Sequence, residues 1–300
     1  MKLEELHQIH RRHLLSMRRS PRTVEFYEQG MLALTRYLDS QGTPPDTDHV
    51  SRLTLQELQL ALRERGLSPG GEHAILRAIR GAFRWAIEEE LITVDPTRKL
   101  RMPALPQERP PTVQPEEIRA ALKLVAAMDQ PLRNRALLLV MLDCGLRMGE
   151  IIQLRVEDVD LAAGMVTVRA ETAKREKERR VPIGIKASRA VAAYERRERD
   201  PVFPHVGELF LNRSGEPMTA GGIHHLMVKV AKGIGVPRSH VAPHAWRRAF
   251  AVGMLRGGAN LFELQQMMGH TTLEMTRKYV KLLPDDLQRV HLRASPADRL

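Results

Sequence analysis

Near the C-terminal end stands Pro243-His244-Ala245-Trp246-Arg247-Arg248, followed by Gly269-His270 and then Tyr279. His244 and Arg247 lie three apart, so a helix puts them on one face, with Arg248 one position further round. Apolar residues recur behind them at Phe250, Met254 and Leu255, then at Leu261, Leu264, Met267 and Met268. That spacing predicts two amphipathic helices, broken at Gly257-Gly258. Gly269 ends the second helix and leaves His270 at a helix terminus, and a further helix from Thr272 carries Tyr279. Polar residues capable of chemistry, set between apolar helices, call for a search upstream for the rest of a site.

Working back along the chain, residues 135–142 are nearly all apolar and predict a buried helix. Directly after it comes Gly145-Leu146-Arg147-Met148-Gly149-Glu150-Ile151. An Arg that follows a buried helix is held rigidly, and its planar fork suits two phosphate oxygens. Glu150, three residues on, can orient Arg147 by a salt bridge; an ordinary surface Arg–Glu helix pair is the plainer reading of the same two residues. Glu116 opens an earlier helix through Ile118, Leu122 and Val125. Met165-Val166-Thr167-Val168 and Arg180-Val181-Pro182-Ile183 read as two strands. The run from Glu171 to Arg179 between them is a charged hairpin tip. Residues 187–199 and 219–232 read as helices, and Leu209-Phe210-Leu211 as a short strand. The second of those helices carries His224 and His225, which diverge on a helix. No His or carboxylate spacing suits a metal, so no metal is expected.

The first hundred residues carry only helical patterning. Leu3, Leu6, His10, Leu14 and Met17 make one stripe. After Ser20-Pro21, a cap followed by a helix-starting proline, Val24, Tyr27, Met31, Leu34 and Leu38 make a second. Thr54 with Glu57 reads as a capping box opening a third helix, and a fourth runs from about Glu72 through Ile75, Ile79, Phe83 and Ile87. Arg11, Arg12, Arg18, Arg19 and Arg22 cluster where the first two helices meet. Such a cluster either grips a DNA backbone or is a solvated face. Periodicity then stops, and Pro103, Pro106, Pro110, Pro111 and Pro115 space a semi-rigid stretch. The expected organisation is a helical domain over 1–100, a Pro-rich linker over 101–114 and a second domain over 115–300.

Composition narrows the function classes. At 43% hydrophobic the chain can build real cores, and a net charge of +11 favours a polyanionic partner, nucleic acid first. The basic excess belongs to the later two thirds. A lone cysteine, Cys144, set in an apolar run, excludes an internal disulfide and reads as a buried thiol. No apolar run reaches the ~18 residues needed to span a bilayer, and the N-terminus lacks a signal-peptide core. A reduced, intracellular setting is the expectation.

The H-x-x-R pair, the G-H pair and the Tyr nine residues later, together with the Arg147–Glu150 segment, resemble the tyrosine recombinases, also called phage integrases. The resemblance implies a mainly α fold with a small β-sheet: an all-α core-binding domain, ending here at Glu90-Leu91-Ile92 and Asp95-Pro96, joined to an α+β catalytic domain. It implies catalytic roles for Arg147, Lys174, His244, Arg247, His270 and Tyr279, with Tyr279 as nucleophile and Glu150 in support. The family places its lysine on the β-hairpin, where counting back from Val181-Pro182 selects Lys174. Lys177 is the rival, and Arg175 stands where many relatives have a small residue. Arg11, Arg12, Arg18, Arg19, Arg22, Arg175, Lys177 and Arg248 become candidate DNA contacts.

The implied chemistry is attack by Tyr279 on a DNA phosphodiester, forming a 3′-phosphotyrosine and freeing a 5′ hydroxyl, with no cofactor. The implied partners are double-stranded DNA with inverted-repeat half-sites, further copies of this chain in a tetramer, and a second recombinase or accessory protein, with no membrane. The expected location is the cytoplasm, at the nucleoid. The amphipathic segment 282–290 resembles the family's C-terminal helix that docks on a neighbouring protomer; folding back on its own domain is the alternative. Two other readings of the whole are a type IB topoisomerase-like nicking–closing enzyme and a non-catalytic DNA-binding protein of the same fold.

Overall fold

The computed structural model describes residues 1–105, 110–170, 178–280, 295 and 297. Two compact units result, Met1–Glu108 and Arg109–Leu300. The first is built from α1 (Leu3–Ser16), α2 (Pro21–Ser40), α3 (Arg52–Glu64) and α4 (Pro69–Glu88). Ser20 Oγ accepts the Thr23 amide at 3.3 Å and Pro21 sits in the first turn, so α2 starts where its capping residues dictate. The same pair, Ser68-Pro69, starts α4 three residues before the expected Glu72, with Gly70 and Gly71 absorbed into the first turn. Helix α3 also begins early. Its cap is Ser51, whose hydroxyl accepts the Thr54 amide at 3.1 Å and whose own amide donates to the Thr54 hydroxyl at 3.2 Å. Thr54 is therefore the inner half of a capping box rather than the residue that opens it. Leu6, Leu34, Leu38, Leu55, Leu58, Leu76, Ile79 and Phe83 fill the core of this unit.

The second unit runs α5 (Pro115–Val125), α6 (Pro131–Cys144), α7 (Met148–Ile152), β1 (Val159–Asp160), β2 (Met165–Val168), β3 (Arg179–Pro182), α8 (Ile185–Arg197), α9 (Ala220–Ile234), α10 (Arg238–Val241), α11 (Pro243–Arg256), α12 (Leu261–Met268) and α13 (Leu273–Val280). Helix α6 is apolar on every side from Ala136 to Leu142, and Ala136 through Met141 are buried without a break, which makes it the central rod of the unit. Its last residue, Cys144, is fully buried, and burial pushes its thiol well above the usual range. The sheet is antiparallel in the order β1-β2-β3, with Val166 opposite Val181 and Val168 opposite Arg179. Val166, Val168 and Val181 face the core.

Two expectations fail here for local reasons. Leu209-Phe210-Leu211 is not a strand, because the segment and its neighbour Glu208 form only isolated bridges, Glu208 with Arg155 and Leu211 with Pro217. Asn212 Oδ1 accepts the Ser214 and Glu216 amides and turns the chain before a ladder can extend. Arg179, assigned to the hairpin tip, is instead the first residue of β3. The chain is mainly helical with one small sheet, as the patterning predicts, and no helix among the described residues is long and apolar enough to cross a membrane.

Candidate active site

The site begins where α6 stops. Gly145 turns the chain with φ +58, and a Cβ there would lie 2.1 Å from the Phe250 ring, so only glycine lets the turn pass beneath α11. Two residues on, Arg147 caps α7. Its amide donates to Glu150 Oε2 at 2.8 Å and its Nη1 to Glu150 Oε1 at 3.0 Å. Arg179 reaches the same carboxylate from β3 with a two-pronged bond, Nη1 to Oε1 at 3.0 Å and Nη2 to Oε2 at 2.8 Å. The Glu150 side chain is only 2% exposed. Burial pushes its carboxyl upward, but the bonds and charge of Arg179, then of Arg147, hold it below the usual carboxylate range.

Helix α12 supplies the other wall. Asn260 caps its start and Gly269, at φ +60, ends it. Its terminal carbonyls have no partner within the helix and sit at the negative end of its dipole. Three successive ones are each taken by a different arginine. Arg179 Nε donates to Met267 O at 3.0 Å, Arg247 Nη2 to Met268 O at 2.7 Å, and Arg147 Nη2 to Gly269 O at 3.0 Å. Arg247, one turn into α11, also donates to Gly145 O through Nη1 and is 4% exposed. Burial, then the charge of Arg147, pull its guanidinium down to about 10, which leaves it charged at neutral pH. Arg147 stays 29% exposed.

His270 follows Gly269. Its Nε2 lies 3.1 Å from Arg247 Nη2 and its Nδ1 2.9 Å from Thr276 Oγ1. A guanidinium only donates, so Nε2 accepts and the ring proton sits on Nδ1, directed at Thr276; this tautomer is assigned from the bonding pattern. Burial, then Arg247, Arg147 and Arg179, push the imidazole down to about 4, so it is neutral at physiological pH. The Tyr279 ring stacks on His270, with centroids 5.9 Å apart and planes 7° from parallel. Tyr279 also packs against the Phe250, Ala251, Leu264 and Met268 cluster. The arrangement can bind an anion at a neutral-pH cationic floor, with a phenol beside it.

Of the residues singled out in the sequence, Arg147, Glu150, Arg247, His270 and Tyr279 come together here. His244 is exposed on the first turn of α11. Arg248 is drawn inward: its Nε donates to Pro111 O at 2.7 Å, and burial lowers its guanidinium while Tyr279 opposes that. Lys174, Arg175 and Lys177, and the segment 282–290, lie outside the described residues. Arg11, Arg12, Arg18, Arg19 and Arg22 are all exposed on the first unit. Sequence reasoning missed Arg179 and Thr276. A signal for Arg179 existed, since it shares a strand face with the fully buried Val181 two residues on.

Residues 111–285 match the phage integrase family. The chain is 32% identical over 295 residues to tyrosine recombinase XerC of Pelotomaculum thermopropionicum, covering 92% of this chain and 93% of the relative. It is 32% identical over 238 residues to tyrosine recombinase XerD of Pseudomonas putida, covering 78% of each. Its fold is similar to that of the Tn1549 transposon integrase in complex with transposon right end DNA, with TM-score 0.81, 20% identity and coverage of 98% and 99% of the two chains. It is also similar to a lambda integrase dimer bound to a COC′ core site, with TM-score 0.72, 17% identity and coverage of 92% and 97%.

Proposed function

We propose, from the premise that the chain belongs to the phage integrase family and is a tyrosine-type site-specific DNA recombinase, that Tyr279 is its nucleophile and the Arg147–Arg247–His270 floor its phosphate site. The observation that carries this reading is the Tyr279 ring stacked on His270, whose Nε2 meets Arg247.

In the proposed reaction Tyr279 Oη bonds to phosphorus as the bond from phosphorus to the 5′ oxygen breaks. A 3′-phosphotyrosine and a free 5′ hydroxyl result. The phenol is a weak nucleophile at neutral pH and must lose its proton; His244 on α11 takes that role. The leaving 5′ oxygen takes a proton from Lys174. Negative charge gathers on the non-bridging oxygens, where Arg147 and Arg247 donate charge-assisted hydrogen bonds. One ester replaces another, so the reverse step rejoins DNA without an external energy source.

His270, neutral at physiological pH, donates to a phosphate oxygen once its proton moves to Nε2. The Thr276 hydroxyl then turns to donate to Nδ1. Glu150 holds Arg147 in place. Four copies act on two duplexes at inverted-repeat half-sites and exchange strands in pairs through a Holliday junction, in the cytoplasm at the nucleoid. A second recombinase or an accessory protein joins them where the two half-sites differ.

The test is to incubate the protein with fragmented DNA from its own source, denature it, and sequence the DNA that stays attached, with Tyr279→Phe alongside. Enrichment of one inverted-repeat sequence, absent from the Tyr279→Phe sample, is the expected result. Scattered adducts without a shared sequence would overturn site specificity, and an adduct surviving Tyr279→Phe would overturn the nucleophile.

A further inference from the structure

The Glu150 carboxylate is saturated. Oε1 accepts from Arg147 Nη1 and Arg179 Nη1, and Oε2 accepts from the Arg147 amide and Arg179 Nη2. Four bonds fill the roughly four acceptor positions a carboxylate offers. Glu150 is thus a buried bridge between two guanidiniums that differ in what else they do. Arg147 is partly open to solvent, whereas the Arg179 side chain is 9% exposed, spends both prongs on Glu150 and gives Nε to Met267 O. A group so committed is poorly placed to meet a phosphate. It is well placed to hold the groups that do.

We propose that Arg179 is the positioning residue of this site, setting the aim of Arg147 through Glu150 while pinning the end of α12, from which His270 follows. The inference rests on the reading of Arg147 and His270 as phosphate ligands. The physical argument is what remains when Arg179 is removed. Glu150 stays buried, keeps Arg147 and loses its bidentate partner, so burial becomes the larger influence and raises its carboxyl. A protonated Glu150 is a weaker acceptor and releases Arg147. Met267 O loses its donor at the same moment, which loosens the α12 terminus. Misplacement of a catalytic group by about 1 Å costs roughly 100-fold in rate.

The experiment measures the rate of covalent adduct formation in a single turnover on a DNA half-site whose religation is blocked. It is run from pH 5.5 to 8.5, with DNA affinity measured alongside. The proteins are wild type, Arg179→Met, Arg179→Lys, Glu150→Gln, Tyr279→Phe and the Arg179→Met/Glu150→Gln double variant. Arg179→Met should be roughly 100-fold slower at pH 7, bind DNA normally, and recover in part as pH rises and Glu150 ionises. The double variant should be slowed by clearly less than the product of the two single defects, because Arg179 acts largely through Glu150 and only its bond to Met267 O is independent of it. Arg179→Lys, which keeps the charge but not the fork, should fall between, and it carries the test where Arg179→Met does not fold.

An unchanged rate in either Arg179 variant overturns the proposal. So does a defect that ignores pH, or one that adds in full to that of Glu150→Gln. Failure of the wild type to form an adduct, or an adduct that survives Tyr279→Phe, overturns the catalytic reading itself and the proposal with it.

Discussion

Each unit of the chain buries a histidine that is pushed down to about 4, and the two are held in opposite ways. His270 is 9% exposed and both ring nitrogens are bonded, one beside Arg247 and one to Thr276. His10, on α1, is 3% exposed and is surrounded by rings instead. Trp85 stacks on it at 4.5 Å and Tyr27 meets it edge-on at 4.7 Å. Neither His10 Nδ1 nor Trp85 Nε1 finds a hydrogen-bond partner among the described residues. The causes of the shifts differ as well: after burial come three arginines for His270, but His13 and His7 for His10. A depressed pKa therefore registers burial in both places. It is the bonding of the ring nitrogens that separates the two, and it is His270 to which the proposed function gives a chemical role.

That contrast can be broken or sharpened by experiment. The largest effect should come from Tyr279→Phe, which removes the hydroxyl and keeps the ring on His270. Adduct formation should vanish in a denaturing-gel assay while DNA binding persists in a mobility-shift assay. Arg247→Ala should slow adduct formation by roughly 100- to 1,000-fold, with His10→Phe at wild-type rate. Equal losses from the two would erase the distinction between the regions. Thr276→Val keeps the shape and removes the partner of His270 Nδ1. Loss of one hydrogen bond of about 1 kcal/mol predicts a slowing of about five- to tenfold in single-turnover kinetics.

Smaller effects concern stability. For both histidines the folded pKa, about 4, lies below the ordinary value of 6.5. The unfolded chain thus takes up protons first as pH falls. Stability from these groups is complete above the ordinary value and is lost on acidification towards the folded one, at up to about 1.4 kcal/mol per pH unit for each histidine. Urea denaturation between pH 7.5 and 4 should show this slope. The first unit should lose its share in His10→Phe, and a slope unaltered by that change would contradict the assignment. At neutral pH the same variant keeps the ring stack and deletes a buried unbonded nitrogen. It should match the wild type or exceed it by about 1 kcal/mol in the same denaturation assay.

Much of this architecture was legible because short-range rules sufficed. Ser20-Pro21 starts a helix on its own terms, and the alternation of Val166 and Val168 fixes which side of β2 meets the core. The convergence of Arg147, Arg247, His270 and Tyr279 could be anticipated only through resemblance, since the contacts bridging Arg147 and Gly269 span 122 positions. Arg179 was hidden by its setting. It stands inside a run of charged residues that ends only at Arg180, and the strand alternation that marks it is only four residues long. Arg248 shows another contact that the sequence hides: its Nε bonds to the Pro111 carbonyl, a backbone acceptor 137 positions away with no signature in composition. Ser51 and Thr54 show the same limit at short range, because either residue can cap a helix and only the geometry chooses.

Cys144 gives this chain a clock of its own. It is the only cysteine among 300 residues, and it ends α6 one position before the glycine turn that leads to Arg147. Burial keeps its thiol protonated and out of reach, so a thiol-alkylating reagent can mark it only when the interior of the second unit opens. The rate of marking counts those openings without an engineered label. Slower marking once a half-site is bound would measure, in free energy, how much bound DNA stabilises the second unit against opening.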